Sequence, residues 1–268
     1  MELLECLYET VPGRILLKPL TSRIVSKAAG AFLDTPLSGL LIRPFVKAQK
    51  ISLEDYDLTG VRSFNDFFCR KLMPGKREVD RCESHLIAPC DGLLSVYPIQ
   101  DGLILPVKQS RYSVAGLLGD AGLAKRYDGG ICLVFRLCVH HYHRYVYVDS
   151  GEKSGSRFIA GKLHTVRPVA LRNVPVFSEN CREYTLIRTE KFGTVAQMEV
   201  GAMLVGRICN HEPEACRVGR GEEKGMFQYG GSTIIVLVQK DKVQILSRFI
   251  GSGEEIPVKL GEMIGSAE

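Results

Sequence analysis

A change of texture near residue 85 constrains the fold of this 268-residue chain more than any other feature. From there onward, short runs rich in branched and aromatic residues recur: LLSVYPI, LILPV, ICLVFRLCV, YVYV, EYTLIRT, TVAQMEV, TIIVLVQ and VQILSRFI. Asp91-Gly92, Asp101-Gly102 and Asp128-Gly129-Gly130 punctuate them, the pattern of strands joined by tight turns. Residues 1–50 instead place apolar side chains at helical spacing. Leu3, Leu4, Leu7 and Tyr8 form one stripe, and Ile15, Leu16, Leu20, Ile24 and Val25 continue it after Pro12-Gly13. The expected class is α+β: a helical N-terminal region over residues 1–84, then a mostly antiparallel β domain over 85–268. The boundary falls in the polar stretch from Pro74 to Ser84.

Charge narrows the partners. The first 50 residues hold seven Lys/Arg against four Asp/Glu, interleaved with the apolar stripe. Basic amphipathic helices of this kind lie in a membrane interface or pack as a layer on the rest of the protein. The net charge of +5 is too small an excess to argue for nucleic acid, but it suits an anionic lipid surface. Glu2 and Glu5 stand where a secretory signal needs cations, and no run approaches the ~18 apolar residues of a membrane span. Membrane contact is therefore expected to be peripheral, on the cytoplasmic side. The nine cysteines include no C-x-x-C pair and mostly sit in apolar runs, as expected of reduced thiols in the cytosol. Cys209, His211 and Cys216 match no tetrahedral zinc template, so no metal is expected.

Three segments could carry chemistry. Ala88-Pro89-Cys90-Asp91-Gly92 puts a carboxylate on a tight turn before a strand, and on its own that is simply a turn. His140-His141-Tyr142-His143-Arg144 gathers half of the six histidines at the end of an apolar strand. Imidazoles there can act as acid or base at neutral pH, or serve as structural core residues. Gly230-Gly231-Ser232-Thr233 precedes a wholly apolar strand and by itself reads as a glycine bulge. The same glycines also allow a strained backbone in which the Ser232 hydroxyl reaches the preceding carbonyl. Such an attack needs a base for the hydroxyl and donors for the oxyanion.

Together these segments resemble those of phosphatidylserine decarboxylase proenzymes, and the resemblance runs nearly end to end. It includes YETVPGR (8–14), SFNDFF (63–68), the APCDG turn, the YHR segment (142–144), VFSENCREY (176–184), MEVGAMLVGRI (198–208), RGEEKGMF (220–227) and the GGST site. It is closest to the shorter bacterial branch. The resemblance implies self-cleavage between Gly231 and Ser232, giving a β chain of 1–231 and an α chain of 232–268, 37 residues long. Ser232 would be both the nucleophile and the precursor of a covalent pyruvoyl cofactor. That group would form a Schiff base with the headgroup amine of phosphatidylserine and release CO2, leaving phosphatidylethanolamine. Asp91 would be the acid of a charge relay, and His143 would lie near the substrate. The implied partners are phosphatidylserine, an anionic membrane surface and the two chains of the cleaved protein, with a homodimer left open.

One position departs from the pattern. Many family members carry the relay histidine three residues after that of YHR, where this chain has Val146. His164, in Leu163-His164-Thr165-Val166, is the preferred substitute, and His143 is the runner-up. Val146 also keeps open a non-processing lipid-binding homologue. The processing motif alone further admits a pyruvoyl decarboxylase of another amino acid.

Overall fold

A computed structural model of the chain describes residues 3–107, 110–202, 207–230, 232–251 and 255–267. Five helices open the chain: α1 (Leu3–Glu9), α2 (Val11–Leu20), α3 (Arg23–Leu33), α4 (Ile42–Gln49) and α5 (Phe64–Phe68). Their starts follow local chemistry. The Thr10 and Ser22 hydroxyls accept the otherwise unpaired N–H groups of Gly13 and Val25. At α5, Ser63 and Asp66 form a reciprocal capping box. Gly13 is required where α2 crosses α1, because a Cβ there would lie 2.0 Å from the Cys6 carbonyl oxygen.

The rest is built on an eleven-stranded sheet. The strands that matter for the site are β1 (Gly92–Gln100), β2 (Ile131–Leu137), β3 (Arg144–Val146), β4 (Arg182–Arg188), β5 (Thr194–Val200), β6 (Glu223–Phe227), β7 (Ser232–Val238) and β8 (Ile256–Val258). In the large sheet the central order is β4-β5-β7-β2-β1, every neighbour antiparallel, with β8 on the far side of β1. The expected helical start and antiparallel β body are what the chain adopts. Strands β3 and β6 pair in a smaller sheet.

Alternation along β7 divides the core. Ile235 and Leu237 enter one apolar cluster with Tyr8, Leu17, Val166 and Leu171. Ile234, Val236 and Val238 enter another, with Leu137, Tyr145 and Phe227. Every residue of β7 is buried, so the chain interior passes through this strand. Helices α1 and α2 send Leu7, Tyr8 and Leu17 into the first cluster, so the N-terminal region shares a core with the sheet.

Candidate active site

Ser232 opens β7, fully buried, and its Oγ has no hydrogen-bond partner. A buried hydroxyl left unpaired costs about 1–3 kcal/mol, which marks the position as one not chosen for stability. Ser232 pairs with Leu137 of β2, and Thr233 with Val200 of β5. By the two-residue period, Ser232 shares the face of Ile234, turned towards the smaller sheet of β3 and β6. Gly230 has φ 129°, a conformation that side-chain-bearing residues rarely adopt. Gly231, the other half of the expected cleavage bond, lies outside the described residues.

Asp91 sits at the same end of the sheet. Leu93 pairs with Arg136 and Ser232 with Leu137, so the Asp91 turn and Ser232 flank β2, two strand spacings or roughly 10 Å apart. Arg77 grips the Asp91 carboxylate through Nε at 3.0 Å and Nη2 at 2.6 Å, and the Leu260 N–H donates to it at 2.9 Å. The cavity beside Asp91 is also lined by His141. Arg77 went unnoticed in the sequence because it lies in the polar stretch read as a boundary.

The three histidines differ in which ring nitrogen is free. His141 Nδ1 accepts the Cys138 N–H at 3.0 Å. Its neutral ring therefore carries the proton on Nε2. Burial and the adjacent His140 depress its pKa to about 4. His143 is the reverse case. Its Nδ1 lies 2.9 Å from the His141 carbonyl oxygen and must donate to it, leaving an Nε2 lone pair that is buried and unpartnered. Burial, then the Arg70 charge, hold its pKa well below the usual value, so the ring is neutral. Its centroid is 3.9 Å from that of Phe68, and its carbonyl accepts the Phe227 N–H at the end of β6.

His164 stands against Tyr8 of the first cluster, their ring centroids 5.9 Å apart. Tyr8, whose hydroxyl pKa is pushed up to about 12 by burial, accepts the Thr165 N–H and shares a hydrogen bond with His164 Nδ1 at 3.3 Å. The His164 Nε2 is buried, with Glu179 Oε2 3.6 Å away. Burial depresses the His164 pKa as well. The Asn180 amide ties the His164 carbonyl to that of Gly201, just past β5, at 2.8 Å each. The described contacts thus bring Asp91 together with Arg77 and His141, and His143 together with the β6 end of the processing segment. They link His164 to Tyr8, Asn180 and Glu179.

The SFNDFF segment has a specific task. Asn65 accepts the Tyr229 N–H at 3.2 Å and donates to Asp34 at 2.8 Å. Phe45, Phe64 and Phe68 surround the Tyr229 ring at 5.0–6.3 Å. Helix α5 therefore holds Tyr229, three residues before Ser232. A cavity of 330 Å³ opens beside Tyr229, with Lys27, Asp34, Asn65 and Arg207 in its walls.

Comparison with known proteins shows the family. The family model described as phosphatidylserine decarboxylase matches residues 64–266. The chain belongs to the phosphatidylserine decarboxylase family. It is 42% identical to phosphatidylserine decarboxylase proenzyme 2 of Clostridium acetobutylicum, covering 98% of this chain and 91% of that protein. It is 40% identical to the proenzyme of Ruminiclostridium cellulolyticum, with 98% and 91% covered. With that of Desulfitobacterium hafniense the identity is 37%, covering 96% and 89%. Val146, where the resemblance leads one to expect a histidine, is a buried strand residue whose N–H donates to the Pro89 carbonyl.

Proposed function

We propose that the chain is a self-processing decarboxylase of phosphatidylserine, with Ser232 as its nucleophile and His143 as the base. What supports this reading is that Ser232 Oγ and His143 Nε2 are both buried and unpartnered, and that the His143 carbonyl holds the N–H of Phe227, five residues before Ser232. His143 Nδ1–H is fixed on a backbone carbonyl, which takes the orienting role that a carboxylate plays in other relays. Nε2 takes the Ser232 proton as Oγ attacks the Gly231 carbonyl carbon. The C–N bond breaks, the amine of residue 232 leaves with a proton, and an ester joins Gly231 to Ser232. Elimination across Cα–Cβ expels the Gly231 carboxylate, and hydrolysis of the resulting enamine frees ammonia and leaves a pyruvoyl terminus.

Asp91 acts at one remove in this reading. It shares a cavity with His141, whose carbonyl orients His143, so the Asp91–Arg77 pair positions the turn that carries the base. The sequence prefers His164 as the base; this reading takes the runner-up, His143, because its Nδ1 can only donate to the His141 carbonyl and so leaves Nε2 as the lone pair. The residues fit a pyruvoyl group: Ser232 is deeply buried, unpartnered and preceded by a glycine of unusual φ. Such a group supplies a carbonyl that condenses with the substrate amine and draws off the electrons released with CO2. Lys27 and Arg207, in the cavity beside Tyr229, are suited to the lipid phosphate.

Membrane contact belongs to the same proposal. Among the described residues no helix is long and apolar enough to cross a bilayer. Val11, Ile15, Leu16 and Ile24 are 62–80% exposed, and α2 and α3, which carry them, also bear Arg14, Lys18 and Lys27. An exposed apolar face rimmed by cations suits the surface of an anionic membrane.

Intact-mass analysis and vesicle assays test the whole reading. The expected result is a 37-residue fragment of residues 232–268 carrying a pyruvoyl terminus, together with CO2 release from phosphatidylserine vesicles but not from free serine. A single 29.7 kDa species would support the non-processing lipid-binding homologue. Turnover of a soluble amino acid instead would support the other decarboxylase.

A further inference from the structure

The largely apolar cavity between the N-terminal helices and the His164 segment has no part in the chemistry above. It measures 510 Å³, with Tyr8, Leu17 and Val174 in its walls and Arg14, Lys18 and Lys162 among its lining residues. Lys162 is paired with Glu179 at 2.9 Å. Among the described residues, Arg14 and Lys18 have no carboxylate partner. Helix geometry sets these groups in order. Successive residues turn by 100°, so Arg14 and Lys18 fall between buried Leu17 on one side and exposed Val11 and Ile15 on the other. The cations therefore stand where the cavity meets the face proposed to rest on the membrane. Deeper in lies His164, whose buried Nε2 faces the Glu179 carboxylate at 3.6 Å. An apolar pocket with unpaired cations at its mouth matches a phosphate with an acyl chain attached.

We propose that this cavity binds an anionic phospholipid, with one acyl chain between Leu17 and Val174 and its phosphate between Arg14 and Lys18. The inference rests on the membrane-facing reading of α2. The site is separate from the reacting centre, because Ser232 turns to the opposite face of the sheet. Its lining residues include no carboxylate for the serine ammonium, so it holds a lipid that is not consumed, such as phosphatidylglycerol.

The absence of tryptophan from the sequence makes the test direct. Three single-tryptophan variants, Ile15→Trp on the exposed face and Leu17→Trp and Asn173→Trp in the cavity, are mixed with phosphatidylglycerol vesicles whose acyl chains are brominated. Asn173 is exposed, so its variant guards against misfolding at Leu17. The inference expects bromine to quench all three by at least half. Adding Arg14→Ala and Lys18→Ala should weaken cavity quenching roughly thirty-fold in lipid concentration, at about 1 kcal/mol per cation. Quenching of Ile15→Trp alone would overturn the cavity site while leaving membrane contact and decarboxylation standing. No quenching anywhere would overturn the site and the membrane-facing reading together, and would leave the processing chemistry to its own mass-spectrometric test.

Discussion

At the scale of single residues, the free lone pair on His143 and the unpartnered hydroxyl on Ser232 decide the reading. Ser232→Ala should leave one uncleaved chain on denaturing gels, with no residual processing. His143→Ala should slow cleavage by roughly 10²–10⁴-fold, the usual contribution of a general base, while His164→Ala should process within a few-fold of wild type. Timed intact-mass spectra separate the two, and a fast-processing His143→Ala protein would sink the assignment. The same burial has a pH signature. Folded His141 and His143 have depressed pKa values, while unfolded histidine titrates near 6.5. The unfolded chain therefore binds more protons as pH falls through 6.5, so stability present at pH 7 declines towards pH 4. The loss by pH 5 should reach up to about 2 kcal/mol for each buried imidazole, measurable as a falling urea midpoint. His141→Gln should flatten that slope, and an unchanged slope would mean that His141 is not buried as described.

Among the elements, strands β5 and β6 meet through a buried ion pair. Lys224 Nζ lies 2.5 Å from Glu199 Oε2, and both side chains are wholly enclosed. Asn210 adds a hydrogen bond to each partner. Burial pushes the Glu199 pKa up, against the opposing pull of Lys224. Lys224→Met strands a carboxylate in the core and should cost about 3–5 kcal/mol. Lys224→Met with Glu199→Leu should recover most of that loss in chemical denaturation, and no recovery would deny the coupling. Helix α5 makes a second element-scale case. Its sequence reads as a short amphipathic helix, but its value is the Asn65 side chain, which joins Asp34 on one side to the Tyr229 N–H on the other. Only the folded chain brings residues 34, 65 and 229 together.

For the whole molecule, cleavage at 231/232 would cut the chain at the start of its most deeply buried strand. Strand β7 lies between β5 and β2, and β8, also in the α chain, pairs with β1. The two chains should therefore stay together after processing. Size-exclusion chromatography should elute both in one peak, and only denaturant should part them. A free α chain under native conditions would contradict this topology.

Much of this was legible in the sequence. The texture change near residue 85 identified an α+β fold, because strand and helix periods are local properties of the chain. The family motifs pointed to Ser232 and Asp91, with His164 preferred to His143 as the base, because a family keeps its reactive side chains at fixed spacing from the turns that hold them. Which histidine could act as a base was not legible, since a neutral imidazole's lone pair is assigned by whatever its other nitrogen touches. Here those partners are the Cys138 N–H, the His141 carbonyl and the Tyr8 hydroxyl. Tyr8 comes from 156 residues away from His164, a contact that no spacing rule encodes. The sequence by itself determined what kinds of groups were present and which strand would carry the serine. Tertiary structure alone decided which face of that strand the serine turns to, and which ring nitrogen stays unclaimed on that face.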